Sequence, residues 1–285
     1  MVKEVVEALA PKRGDVVVDA TYGVGGHSAA LKKALPAGRQ AQKIKLITID
    51  ADPASGAQVT ANFGDLSGVL AKHLPAGKQA DKVLFDLGWN RGQLQSGRGF
   101  SFMHDEQLNM SYGHTPRSGF TAAEVLNEWS EQALADVFFG YGEERYARRI
   151  AKAVVARRAL QPFATTLELV EVVRDAVPAA YRRGRLHPAT KTFQALRIAV
   201  NDELGALTHG LKAAWYALSC GGRIAVITFH SIEDRLVKRY FAALAKEGRG
   251  TLVYRKPLTP TAAEVAGNPS ARSAKLRAIE KVCMH

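Results

Sequence analysis

The chain has little of what marks secreted, membrane-spanning or metal-centred proteins. Two cysteines, Cys220 and Cys283, stand in 285 residues, too few for a disulfide framework or a zinc cluster. The eight histidines show no paired spacing with carboxylates or thiols, so no metal is expected. Apolar runs reach about six residues, as over 224–229, where a bilayer span needs roughly 18 to 20. No segment should cross a membrane. The opening Met-Val-Lys-Glu-Val-Val-Glu carries acidic residues and lacks the apolar core and cleavage site of a secretory signal. A cytoplasmic location is expected.

Negative charge is scarce as well. Against 39 Lys and Arg there are 27 Asp and Glu, a net +12 on a chain that is 47% hydrophobic and 23% charged. That composition is globular, not disordered, and the length suits one large domain or two modest ones. The excess is uneven. Residues 142–197 hold 12 basic and 5 acidic residues, residues 221–285 again hold 12 and 5, and the remainder is close to neutral. Two basic regions point to a polyanionic partner, while the neutral region suits a small-molecule site. For any single arginine, such as Arg145, Arg148 or Arg149, decoration of a solvated helix face is an equal alternative.

The pattern along the chain is strand, glycine turn, helix. A helix over 3–10 precedes the β-branched run Asp15-Val-Val-Val-Asp19, of the kind buried on both faces of a sheet. The run stops in Tyr22-Gly-Val-Gly-Gly-His27, and residues 28–35 have helical composition. Further strands over 45–49 and 82–85 each end in an acid, Asp50 and Asp86, where open α/β sheets bind ligands. The piece 36–42 resembles a surface insertion. Segments 121–139, 143–160, 166–177 and 190–218 read as amphipathic helices. Strand character returns over 223–229, followed by a helix over 232–245, a strand over 251–255, a proline-rich loop over 256–270 and a last strand within 273–282. No internal repeat or low-complexity segment is evident.

Gly23, Gly25 and Gly26 let a backbone approach a ligand at a helix N-terminus; a plain tight turn is the competing reading. Asp50 sharpens the first reading, because a carboxylate at the second strand tip can accept two ribose hydroxyls, in NAD or in S-adenosylmethionine. Discrimination comes from Asp86-Leu-Gly-Trp89. In amino-group methyltransferases an acidic or amide residue, two turn residues and an aromatic cradle an exocyclic amine and stack on its base, and Asp86-Leu-Gly-Trp89 resembles that arrangement. A strand-end Asp capping a turn, with Trp89 in the core, is the alternative.

Further motifs complete a recognisable set: Asp19-Ala-Thr-Tyr-Gly-Val-Gly-Gly-His-Ser28, Gln93, Arg98-Gly-Phe-Ser-Phe102, His187-Pro-Ala-Thr-Lys-Thr-Phe-Gln-Ala-Leu-Arg-Ile198, Phe229-His-Ser-Ile-Glu-Asp234 and Ala271-Arg-Ser-Ala-Lys-Leu-Arg277. Together they closely resemble the bacterial 16S rRNA cytosine-N4 methyltransferase family, RsmH or MraW, over nearly the whole chain. The resemblance implies an α/β fold, a Rossmann-like class I methyltransferase sheet with an inserted all-helical domain. The sheet would take 1–103 and 198–285, and the substrate-recognition insertion 104–197. It implies S-adenosylmethionine as cofactor, no metal, and methylation of a cytidine N4 amine in the decoding region of 16S rRNA, naked or in the small ribosomal subunit. Neither DNA nor a membrane is an expected partner, and the oligomeric state stays open, with a homodimer among the options. Carried over by position, Gly25, Gly26, His27, Asp50, Phe63, Asp86 and Gln93 would touch the cofactor, Phe63 packing on the adenine or serving as an ordinary core residue. Asp86, Trp89 and His230 are the candidate catalytic residues. His230 could equally be a satisfied loop histidine, and His187 before Pro188 reads as a helix cap.

The chain departs from the family pattern on this face. The stretch between Asp50 and Phe63 is shorter, Trp89-Asn-Arg-Gly92 stands where Val-Ser-Ser-Pro is usual, and Asn109-Met-Ser-Tyr-Gly113 replaces Asp-Met-Arg-Met-Asp. Two other readings follow: a degenerate relative that binds rRNA without catalysis, and an NAD-dependent oxidoreductase, which would lack the usual G-x-G-x-x-G spacing.

Overall fold

A computed structural model describes residues 1–34, 44–89 and 91–283; the segment 36–42, read above as a surface insertion, lies outside the described residues. The chain divides into two compact units, Met1–Gly88 with Leu204–His285, and Trp89–Glu203.

The first unit is built on a seven-stranded sheet in the order β3-β2-β1-β4-β5-β7-β6. Its strands are β1 (Val16–Asp19), β2 (Lys45–Asp50), β3 (Val59–Thr60), β4 (Ala80–Asp86), β5 (Leu218–Thr228), β6 (Gly250–Leu252) and β7 (Lys275–Lys281). The first five run parallel, and β7 lies antiparallel between β5 and β6. Strand order reverses at β1, so the crevice beyond the carboxyl ends of β1 and β4 is a topological switch point. The α/β sheet expected from the resemblance is present.

Alternation along β1 explains why a bare valine run suffices. Val16 and Val18 face a core shared with Phe85, with Leu66 and Leu70 of α3 (Leu66–His73), with Leu211 and Trp215 of α11 (Glu203–Ala217), and with Phe241 of α12 (Ser231–Lys246). Val17 faces the opposite core, with Val5 and Leu9 of α1 (Val2–Leu9) and Leu31 of α2 (Gly26–Lys33). A strand buried on both sides needs no polar alternation.

The second unit holds α4 (Arg91–Leu94), α5 (Ala122–Glu128), α6 (Glu131–Gly140), α7 (Ala147–Arg158), α8 (Thr166–Ala176), α9 (Ala179–Arg182) and α10 (Thr190–Asn201). It begins at Trp89, not at 104, and ends at Glu203, not at 197. Phe100, Leu108 and Met110 pack in its core, and Glu203 accepts from Tyr112 and from both arms of Arg197 at 2.7 and 2.9 Å. Two segments read as single helices are broken. The Ser130 hydroxyl caps α6, accepting from Ala133 N–H. Asp202 sits in the left-handed region at φ 46 and ends α10, a conformation short polar side chains tolerate. The proline-rich loop contains a further short helix, α13 (Ala262–Gly267), capped by Thr261.

The cysteines depart from expectation. Cys220 and Cys283 are joined in a disulfide with Cα atoms 5.2 Å apart. Continuing the Arg223↔Glu280 register of β5 and β7 outward by three residues places them opposite one another, a relation that a 63-residue separation hides in sequence.

Two distant motifs meet in one ion cluster. Arg277 on β7 donates to both oxygens of Asp234 at 2.7 and 3.2 Å, and Lys275 lies 3.3 Å from the same carboxylate. Burial alone would raise the Asp234 carboxyl; Arg277 and Lys275 outweigh it and hold it below the usual carboxylate range. Its contribution to stability is therefore complete above the ordinary aspartate pKa and is lost as pH falls through the depressed one. Asp234→Ala leaves Arg277 without its partner and is expected to cost about 3 kcal/mol, read as a lower denaturant midpoint at neutral pH, with the gap to the parent narrowing in acid.

Candidate active site

The segment after β1 is stitched first to one neighbouring strand, β4, and then to the other, β2. Ala20 N–H donates to Leu84 O at 2.9 Å, Thr21 Oγ1 accepts from Asp86 N–H at 2.6 Å, and Tyr22 N–H donates to Ile49 O at 2.9 Å. Gly23 N–H then donates to Asp50 Oδ2 at 2.7 Å, while Asp50 Oδ1 accepts from Asp52 N–H at 2.8 Å. These bonds fix the tips of β1, β2 and β4 in one frame and put three carboxylates, Asp19, Asp50 and Asp86, at adjacent strand ends.

The glycines do different work within that frame. Gly25 has φ +77, and a Cβ there would stand 2.6 Å from the Tyr22 hydroxyl, so its hydrogen makes room for the Tyr22 ring. Gly26 opens onto free space, with nothing within 4 Å of a Cβ. Gly26, at the start of α2, is thus the position where a ligand can come close to the backbone.

His27 and Asp86 face each other with Nδ1 and Oδ2 3.3 Å apart. The other polar atom of each side chain, His27 Nε2 and Asp86 Oδ1, is buried without a hydrogen-bond partner among the described residues. Orphaned polar atoms are costly, and these two stand together on one pair of residues at the switch point. Behind them Asp19 is 1% exposed. Burial raises its carboxyl to about 6, opposed by the Ser28 hydroxyl, which donates to Asp19 Oδ2 at 2.6 Å.

Phe63 is partly buried and meets Phe85 edge-on, with ring centroids 5.8 Å apart, and its carbonyl and ring close on Gly210 of α11. Gly88, at φ +91, turns the chain after Asp86 with its Cα against the Phe229 ring. Trp89 is 38% exposed, which removes the reading that placed it in the core. Gln93 is buried in α4 of the second unit.

His230 is the N-cap of α12, its Nδ1 accepting from Glu233 N–H. Its Nε2 lies 3.1 Å from Glu233 Oε1 without hydrogen-bond geometry. Glu233 Oε2 in turn accepts from Phe229 N–H at 3.0 Å. The ring therefore orders the exit of β5. Two histidines thus stand beside carboxylates, contrary to the spacing argument: one pair joins the start of α2 to the end of β4, and the other spans one helical turn. His187 accepts from Ala189 N–H and stacks on Phe102 at 4.7 Å; the N-cap of α10 is Ala189, without a side-chain cap, so His187 holds the turn before the helix and is not the helix cap expected.

Sequence reasoning left Thr21 and Ser28 without roles, although both stand in the quoted glycine motif. A hydroxyl two residues after a strand-end acid is a readable signal for such a clasp.

The profile of the MraW methylase family matches residues 1–282. The chain belongs to that family. The ribosomal RNA small subunit methyltransferase H of Synechococcus elongatus is 45% identical over 288 residues, spanning 98% of this chain and 93% of its own. The protein of the same name from Heliobacterium modesticaldum is 43% identical over 311 residues, spanning 99% and 97%. An rRNA methylase structure from Streptococcus thermophilus aligns over 99% of this chain and 94% of its own, at 11% identity and a TM-score of 0.41, a likeness too loose to bear on the site. Of the motifs quoted from the sequence of this MraW methylase chain, Asp19–Ser28 and Phe229–Asp234 follow the ends of β1 and β5, Ala271–Arg277 leads into β7, and Gln93, Arg98–Phe102 and His187–Ile198 lie in the second unit.

A carboxyl held near pH 6 in the fold and near 3.8 in the unfolded chain binds its proton more readily when folded. Stability contributed by protonated Asp19 is full below the unfolded value and is lost as pH rises through about 6, a difference of roughly 3 kcal/mol. Asp19→Asn is expected to flatten the fall in melting temperature between pH 4 and 7; a variant profile parallel to the parent's would refute the assignment. Gly25→Ala is expected to cost more than 1 kcal/mol from the positive φ and the Tyr22 overlap together, measured by chemical denaturation.

Proposed function

We propose that the chain uses S-adenosylmethionine to methylate the N4 amine of a cytidine in 16S rRNA, acting in the cytoplasm. The observation that carries this reading is the His27–Asp86 pair with its two buried, unpartnered atoms beside the open Gly26, in a chain of the MraW methylase family. Among the described residues no helix is long and apolar enough to cross a membrane.

The residues suit the cofactor. Asp50, held by two backbone N–H groups, supplies the strand-tip carboxylate for a ribose. Gly26 and the N-terminus of α2 allow close approach, and Phe63 presents an aromatic ring for the adenine. When bound, S-adenosylmethionine would supply an electrophilic methyl group, whose bond to the sulfonium sulfur breaks as the bond to the amine nitrogen forms, leaving a neutral thioether, and the nitrogen loses one proton to solvent. Asp86 Oδ1, buried without a partner among the described residues, accepts from an amine N–H in this reading, which raises electron density on the nitrogen and orients its lone pair. His27, 3.3 Å from the other oxygen, steadies the carboxylate. Trp89, three residues on and partly exposed, is the candidate stacking surface for the base, and Gln93 the further cofactor contact. His230 acts by holding the β5 exit in place, as a positioning residue.

Tritiated methyl transfer to small subunits from cells lacking the modification, with nucleoside analysis, tests the reading. Label is expected on cytidine N4, and label on a ring carbon or on adenosine would overturn it. Asp86→Asn is expected to lower kcat/KM by about 100-fold or more, with an unchanged melting temperature showing that the fold survives.

A further inference from the structure

The basic excess of 142–197 is not uniformly decorative. Arg157 donates to Gln161 O and pairs with Glu168, Arg158 caps the carbonyls of Leu126 and Trp129, and Arg197 clasps Glu203. Those guanidiniums hold the helical unit together. Among the described residues Arg145, Arg148 and Arg149 have no carboxylate partner, and they converge with Phe139 and Tyr146 on one pocket of about 370 Å³ between α6 and α7.

The pocket is pre-arranged. Arg145 lies 4.8 Å from the ring centroids of both Tyr146 and Tyr181, and Arg149 lies 5.9 Å from that of Tyr146. Buried Glu144 accepts from the Tyr181 hydroxyl at 2.6 Å and from Tyr146 N–H at 2.8 Å, so a fully buried carboxylate fixes the rings that aim the guanidinium. Phe139, 68% exposed, offers a free aromatic face at the same pocket. The carboxylate in its wall, Asp136, is held by the Gln132 amide at 2.8 Å and suits an exocyclic amino group better than a phosphate.

Three unpaired guanidiniums beside an exposed aromatic ring are the elements that bind single-stranded nucleic acid, by phosphate contact and base stacking. We infer that this pocket is a second RNA subsite, holding one unpaired nucleotide of the substrate strand through its phosphate on Arg145, Arg148 and Arg149 and its base on Phe139. A duplex has no free base face to offer Phe139, which selects a single-stranded segment. The inference rests on the rRNA reading above and adds to it a site built within the helical unit alone.

The test is direct binding of a short fluorescein-labelled single-stranded RNA to the full chain without cofactor, by anisotropy over a range of KCl. Arg148→Ala and Arg149→Ala are each expected to weaken binding and to lessen the slope of log K against log salt by about 0.7. Phe139→Ala is expected to weaken it roughly 5- to 100-fold with the slope unchanged. Lys3→Ala, on the exposed face of α1, is expected to bind as the parent does. Parent-like affinity and slope in the three pocket variants, absence of binding by the parent, equal competition by duplex RNA, or equal displacement by an acidic peptide would each overturn the inference. Because no methyl transfer is read, loss of RNA binding in the variants of a chain that fails to methylate subunits would uphold the pocket and sink the activity. Methylation with an unchanged KM in the variants would do the reverse.

Discussion

The run of hydrogen bonds from Ala20 to Gly23 is the constraint on which the rest of the site depends. Four consecutive residues bond in turn to β4, β4, β2 and the Asp50 side chain, so the loop cannot shift without breaking pairing on both sides. Every chemical group at the strand ends takes its position from that stitching. Asp86 is held at its own backbone by Thr21, Asp50 is held by the loop's glycine, and α2 starts where the loop releases it. A site assembled on backbone bonds between strands is more rigid than one assembled on a free loop, as methyl transfer requires, since alignment is most of its catalysis.

Burial then divides the polar groups into two kinds. Asp19 is satisfied by Ser28 and turned inward, and its charge is disfavoured. One layer further out, His27 and Asp86 retain atoms that nothing among the described residues satisfies. The same division separates the arginines of the helical unit, where those spent on carbonyls and carboxylates build the unit and those in the Phe139 pocket remain unspent. Charge counted along the sequence cannot make that distinction, because Arg148 and Arg158 look alike until their neighbours are known.

Much of the sheet was legible because its signals are local. A valine run, a glycine cluster and acids at strand ends each span a few residues, and β1, β2, β4, β5 and β7 followed from them. What escaped has non-local or weak causes. β3 is two residues long and carries no periodicity. The break at Asp202 needs a left-handed residue without a glycine to announce it. The Asp234–Arg277 cluster and the Cys220–Cys283 bond both depend on β7 folding back beside β5, a pairing that nothing in either strand declares. Within the site, Asp86 and Asp50 were readable as strand ends, whereas the close approach of the Tyr22 ring to Gly25 was not, because nothing in the glycine cluster says which side chain turns back onto it.

Only eight residues separate β2 from β3, and they form a turn of 3-10 helix (Pro53–Ser55) in place of a crossover helix. The opposite margin of the sheet is β6, three residues long. The sheet therefore ends on both sides in strands of two or three residues, whose few unpaired N–H and C=O groups make a poor template for another chain. The brief β2–β3 connection and the two-residue β3 blunt this edge as effectively as a covering helix would, which protects the sheet from edge-to-edge aggregation.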